Sequence, residues 1–166
     1  MSKANHLFAA AITLGLATAT AAAAQPTETP PTQGTAYLNN QMVALTARHG
    51  ADGWRVTPSG LRWRRVAGDG TGARPGPTDR VTVHYVGTFA DGREFDSSIR
   101  RGEPTSFPLN RVIKGWQEGV ALMGVGDKVE LAIPWQLAYG AEGKGPIPGG
   151  ATLLFTVELL GIDQAA

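Results

Sequence analysis

Asn110-Arg111-Val112-Ile113-Lys114-Gly115-Trp116-Gln117-Glu118-Gly119-Val120-Ala121-Leu122-Met123-Gly124 is the stretch whose reading decides the fold. Asn110 is a helix-capping residue type, Val112, Trp116, Val120 and Met123 recur near helical spacing, and Gly124 with Gly126 supplies a stop. This is the one good helix candidate in the second half of the chain. The segments around it alternate apolar and polar residues with period two. A short apolar helix among strands must bury its face against a sheet, which predicts an α+β architecture. By residue type alone Trp116 reads first as core, with a binding role as the sharper alternative.

Working outward, Thr105, Phe107 and Leu109 alternate just before the helix, and Val129, Leu131 and Ile133 just after it, until Pro134 ends the strand. Further upstream, Leu61 to Val66 forms a first strand with Leu61 and Trp63 on one face. Val81, Val83 and Tyr85 alternate with Thr82, His84 and Val86 toward Asp91-Gly92, a hairpin turn signal, and Arg93 to Asp96 returns. In the last strand Leu153, Phe155, Val157 and Leu159 share one face. The expectation is a five- to six-stranded antiparallel β-sheet curled around one short α-helix, with an N-terminal helix before it. Pro134 to Ala151 reads as a long Gly- and Pro-rich loop, and such loops tend to be functional.

At the start of the chain, Lys3 precedes an apolar run from Leu7 to Leu16, and Ala22-Ala23-Ala24 offers a small-residue cleavage pattern before Gln25. Residues 1–24 are read as a cleavable signal peptide, with an uncleaved anchor as the alternative. The expected location is periplasmic or secreted. Residues 25–35 form a Pro/Thr-rich linker. Residues 36–54 form a helical extension in which Leu38, Met42 and Leu45 share one face over Ala36 to Arg48. That stripe is expected to pack on its own domain, a dimer seam being the alternative, so a monomer is expected ahead of a dimer.

Loss of Lys3 leaves 14 of the 15 Lys and Arg residues against 14 acids, a formally neutral product. Neutrality speaks against nucleic acid as a partner, and no second apolar stretch is long enough to insert in a membrane after cleavage. Without cysteine there is no disulfide framework, thiolate nucleophile or lipidation point. Gly68 to Ala73 fits a dinucleotide-binding pattern on paper, but Pro75 and Pro77 prevent the helix that the motif must open. No G-x-S-x-G elbow frames Ser97 or Ser98, and His49 and His84 lack metal-ligand spacing. The chemistry expected needs no nucleophile, no metal and no cofactor.

Val83-His84-Tyr85-Val86-Gly87, Asp91-Gly92, Phe95-Asp96-Ser97-Ser98, Val112-Ile113-Lys114-Gly115-Trp116, Glu118-Gly119, Ala138-Tyr139-Gly140 and Ala151-Thr152-Leu153 with Phe155 occur in order from about Pro58 to Ile162. In this the sequence resembles the FKBP family of peptidyl-prolyl cis-trans isomerases, the macrolide-binding immunophilins. Thr57 to Leu61 resembles the lead-in of exported bacterial members. The resemblance implies an isomerase domain over residues 55–163, acting on Xaa-Pro bonds in unfolded or folding polypeptides, with macrolides as further ligands. It implies catalytic roles for Tyr85, Asp96, Ile113, Tyr139 and Phe155, and substrate binding by Phe95, Arg101, Val112, Trp116 and Ile147. Trp116 would form the pocket floor, the Ile113 N–H would hold the substrate carbonyl, and Asp96 would either position its neighbours or act directly. Thr105 stands where the best-known members carry an aromatic, and the run Lys144 to Gly150 departs from the usual flap sequence. A non-catalytic chaperone using the same pocket is the alternative function. A serine hydrolase has little support.

Overall fold

Alternating apolar residues build most of the sheet seen in the computed structural model, which describes residues 33–163. The expected signal peptide and the linker as far as residue 32 lie outside the described residues. In chain order the elements are α1 (Thr35–Thr46), β1 (Arg55–Val56), β2 (Arg62–Ala67), β3 (Arg80–Phe89), β4 (Glu94–Ser97), α2 (Ser98–Arg101), β5 (Thr105–Pro108), α3 (Lys114–Ala121), β6 (Lys128–Ile133), β7 (Gly143–Lys144), β8 (Ile147–Pro148) and β9 (Leu153–Asp163). Seven strands form one antiparallel sheet in the order β1-β2-β6-β9-β3-β4, with β5 also paired to β3. The expected fold class stands. The count exceeds five or six because the two-residue β1 extends one edge, a piece too short to show periodicity.

The long strands β3 and β9 form the centre, paired from Arg80↔Asp163 to Phe89↔Leu153. Val81, Val83 and Tyr85 of β3 and Leu153, Phe155, Val157 and Leu159 of β9 are buried, while the alternate residues of β3 are half-buried. Gly92, at φ +86°, makes the hairpin turn after β3 in a conformation that other residues rarely adopt.

The helix that closes the core is shorter than expected and starts later. Asn110 does not cap it. Leu109 to Arg111 form a 3-10 turn, Val112 is extended (φ −109°, ψ 173°), and Ile113 is the N-cap residue of α3. Val112 is buried as the pattern requires, but from the extended segment. Helical spacing alone could not separate the two cases. The helix approaches β6 closely because Gly115 and Gly119, one turn apart, face it: a Cβ on Gly115 would stand 2.4 Å from Ile133 Cγ2, and one on Gly119 2.8 Å from Leu131 Cδ2. Trp116, Val120 and Met123 are then fully buried.

Three local expectations are corrected. In α1 the buried residue is Gln41, whereas Met42, expected on the inward stripe, is 60% exposed. The helix is turned so that Gln41 meets Thr152, and polar pairing sets its face. The segment expected as an unstructured loop from Pro134 to Ala151 contains a 3-10 turn and the β7–β8 hairpin, whose two-residue strands leave no alternation to read. Finally, α2 is a second helix in this half of the chain, four residues long and capped by Ser97 Oγ, which accepts from the Arg100 N–H.

Asp127 ties the turn after α3 to the loop after β2. Nearly buried, it accepts from the N–H groups of Gly70 (2.9 Å) and Gly124 (2.8 Å) and from Arg65 Nε (3.1 Å). Burial alone would raise its pKa, but these donors outweigh it and hold the carboxyl below its ordinary value. Its stabilising contribution is therefore present above the unfolded pKa of about 3.9 and is lost as pH falls through the lower folded value. Asp127→Asn, which turns an amide toward donors, is expected to cost about 1–3 kcal/mol at neutral pH. Denaturant unfolding from about pH 7 down to 2 should show a shallower acid limb in the variant than in wild type.

Candidate active site

Strand β3 sends Tyr85 into the core, and β9 sends Phe155 beside it. Trp116, on the first turn of α3, meets both rings edge-on at 5.3 Å between centroids. Phe95 of β4 packs edge-on against Phe155 at 5.5 Å, and Phe107 of β5 lies 5.4 Å from Trp116. Rings at these separations interlock edge to face and resist collapse. Ile113, Val112 and Ile147 are buried in the same cluster, with half-buried Tyr139 packed against it.

One side of the cluster is polar. Asp96 is fully buried and accepts from the Tyr85 hydroxyl at 2.5 Å and from Arg101 Nη1. Arg101 Nη2 donates to Tyr85 Oη at 3.0 Å and to Thr105 Oγ1 at 3.1 Å. Arg101 reaches this position because α2 turns the chain directly after Asp96. Burial and the hydrogen bond to Asp96 push the Tyr85 phenol well above its ordinary pKa, and Arg101 only partly counteracts them. Burial would lower the Arg101 guanidinium, but Tyr85 and Asp96 outweigh it and keep the charge in place. Tyr139 is likewise raised, by burial and by the charges of Asp96 and Tyr85. These phenols stay protonated across the neutral range.

Two buried donors have no hydrogen-bond partner among the described residues: Trp116 Nε1 and the Tyr139 hydroxyl. An unpartnered buried donor is costly, and such groups collect where a ligand supplies the acceptor. A third donor is built into the chain. Ile113 is the N-cap of α3, so its N–H belongs to the end of the helix that intrahelical bonding leaves free. The neighbouring Val112 carbonyl is occupied by Gln117 Nε2 at 2.7 Å.

All ten residues singled out from the sequence thus lie in this cluster or its polar edge. Sequence reading passed over Phe107, Thr105, Gln117 and Gly87. Thr105, noted there as a strand residue and a missing aromatic, is a hydrogen-bond acceptor for Arg101. A Cβ on Gly87 would stand 2.7 Å from both Phe155 Cε1 and Phe95 Cζ, so this glycine lets two rings meet over the core face of the strand. Ser98, weighed as a nucleophile, is buried and accepts from the Tyr85 N–H at 2.8 Å, with His84 Nδ1 3.0 Å from its Oγ. That hydroxyl braces β3, donating in turn to the Tyr85 carbonyl at 3.3 Å. Among the described residues no His, Cys, Asp and Glu cluster is arranged for a metal ion.

Comparison with protein families matches residues 72–160 to "FKBP-type peptidyl-prolyl cis-trans isomerase". "FKBP-type peptidyl-prolyl cis-trans isomerase FkpA" of Aeromonas hydrophila is 53% identical over 122 residues, covering 74% of this chain and 45% of that protein. "FKBP-type 22 kDa peptidyl-prolyl cis-trans isomerase" of Escherichia coli (strain K12) is 55% identical over 112 residues, covering 67% of this chain and 54% of the relative. Among solved structures, a peptidyl-prolyl cis-trans isomerase from Pseudomonas syringae pv. tomato superposes with a TM-score of 0.70 at 35% identity, covering 78% of this chain and 95% of the other. The chain spans about half the length of the curated relatives it matches.

Proposed function

The chain belongs to the FKBP-type peptidyl-prolyl cis-trans isomerase family, and on that premise we propose that it accelerates rotation about Xaa-Pro bonds in unfolded or folding polypeptides. The observation that carries this reading is the interlocked cluster of Tyr85, Phe95, Trp116 and Phe155, bordered by unpartnered donors. The barrier of roughly 18–20 kcal/mol to rotation comes from amide resonance, which places negative charge on the carbonyl oxygen. Water stabilises that planar, charge-separated state better than the twisted one. An aromatic pocket that strips water from a prolyl amide raises the planar state toward the twisted one. Each 1.4 kcal/mol or so gained this way is about tenfold in rate.

Within this reading Trp116 carries the prolyl ring, with Tyr85, Phe95, Val112, Ile147 and Phe155 around it. The Ile113 N–H and the Tyr139 hydroxyl donate to substrate carbonyls. Asp96 acts by position: Tyr85 and Arg101 already occupy it, and the reaction offers no proton to move. Macrolides that present a prolyl-like ring are expected to compete for the same pocket. The N-terminal sequence supports export, with cleavage after residue 24, a linker to residue 35, an extension over residues 36–54 and the isomerase domain over 55–163 acting as a monomer. Among the described residues no helix is long and apolar enough to cross a membrane.

The test is the refolding of a polypeptide whose slow phase is Xaa-Pro isomerisation. Substoichiometric chain is expected to speed that phase, and Asp96→Asn, which weakens the hold on Tyr85 and Arg101, is expected to retain activity at about a tenth of the rate. Binding of the polypeptide without acceleration would replace catalysis with the holding of Pro-containing segments.

A further inference from the structure

From outside the matched family segment, Gln41 of α1 contacts the residue that follows the loop carrying two of the site residues. Gln41 of α1 is 9% exposed and Thr152 fully buried. Gln41 Oε1 accepts from the Thr152 N–H at 2.8 Å, and Thr152 Oγ1 donates to the Gln41 carbonyl at 3.1 Å. Thr152 directly follows the Pro134–Ala151 loop and immediately precedes β9, three residues before Phe155. Inside the loop, Gly150 N donates to the Gly140 carbonyl (3.0 Å) and Gly140 N to that of Trp135 (2.9 Å). The β7–β8 hairpin pairs Lys144 with Ile147. A clamp at Thr152 therefore fixes the end of a short chain of hydrogen bonds that runs beside Tyr139 and Ile147.

Tyr37, Leu38, Ala44 and Leu45 of α1 are half-buried, and Gln41 is its buried residue. Met42 and Val43 are 60% and 61% exposed. A groove of about 540 Å³ separates Leu38, Met42 and Leu45 from Pro134 and Trp135. A second, of about 410 Å³, lies between Tyr37 and Val43 on one side and Phe89 and Pro148 on the other. With open space on both flanks, the reciprocal pair between Gln41 and Thr152 is the buried contact at the middle of the helix.

We propose that Gln41 is a positioning residue for the site: α1 holds the Pro134–Ala151 loop through Thr152, and so keeps Tyr139 and Ile147 in place for the prolyl substrate. This rests on the function proposed above for the same pocket. A buried N–H left without its acceptor shifts a local equilibrium by roughly five- to 150-fold toward the open form. A substrate that needs the closed loop then binds more weakly by the fraction of loop still closed, while the turnover of bound substrate changes little.

In the full chain, Gln41→Met keeps the length of the side chain and removes the acceptor. Its KM for a short Xaa-Pro peptide is expected to rise roughly three- to tenfold with kcat within about twofold of wild type. Amide exchange should accelerate at Thr152 and across residues 139–150, and remain unchanged in β3 and β6. Gln41→Glu, which restores an oxygen at the same reach, should bring KM back to within about twofold. If Gln41→Met does not fold, Thr152→Val, which loses only the hydroxyl half of the pair, should show the same changes at smaller size. Wild-type KM together with wild-type loop exchange in a folded Gln41→Met or Thr152→Val chain would overturn the proposal. Absence of acceleration by the wild-type chain would instead overturn the reading of the pocket, and loop exchange would still decide whether the clamp exists.

Discussion

Trp116→Ala is expected to lower stability by about 3–5 kcal/mol and to remove the proposed acceleration of Xaa-Pro rotation. The indole is fully buried and meets Tyr85, Phe107 and Phe155 within 5.4 Å. Its removal leaves a hole bounded by strands β3 and β9, which are held in register by the sheet and cannot collapse to fill it. The same hole would admit water to the place proposed for the prolyl amide, which has to be dry. Denaturant midpoints measure the first effect, and peptide exchange at a temperature where the variant is folded measures the second. Trp116→Phe, which keeps an aromatic floor, should recover part of both. A folded Trp116→Ala chain with undiminished acceleration would remove the indole from the mechanism.

Gly87→Ala adds one methyl group and is expected to do nearly as much damage to activity. The new Cβ falls 2.7 Å from ring atoms of both Phe95 and Phe155, well inside contact distance, and neither ring is free to retreat. Phe95 is held by Phe89 at 4.9 Å, and Phe155 by Trp116 and Tyr85. Overpacking of this kind costs about 1–3 kcal/mol. Because displacement of pocket walls by about 1 Å can cost on the order of a hundredfold in rate, the loss in kcat/KM should exceed what the stability change suggests. Peptide exchange rates and unfolding midpoints measured on one sample of the variant separate the two. Unchanged kcat/KM would show that the two rings do not line the working surface.

The central strands were legible because half-buried strands write their faces as alternation, as in Val81-Thr82-Val83-His84-Tyr85 and Leu153 to Leu159. The start of α3 was not, because extended Val112 is buried at the same spacing as a helical residue would be. Short pieces such as α2, β1 and the β7–β8 pair hold too few residues for any period to appear. In helix α1, Leu38 and Leu45 of the expected stripe are half-buried, while Met42 is exposed and Gln41 takes the buried position. Its inward residue is polar, and the partner that makes a buried glutamine favourable is Thr152, 111 positions away. The candidate site was named through resemblance, motif by motif, and the physical reading of an isolated Trp116 could not separate core from pocket. What that reading lacked was the company of Gly87, Phe107, Thr105 and Gln117, whose parts depend on packing that only the folded chain reveals.

The most direct test is the rate of cis-trans exchange of a short Xaa-Pro peptide, followed by magnetisation transfer with substoichiometric full-length chain between about pH 6 and 9. Burial holds the Tyr85 and Tyr139 hydroxyls protonated throughout that range, and desolvation moves no proton. The predicted result is acceleration that is flat with pH. A folded chain that leaves the peptide's exchange rate unchanged, or a rate that titrates with a group of the site, would contradict it.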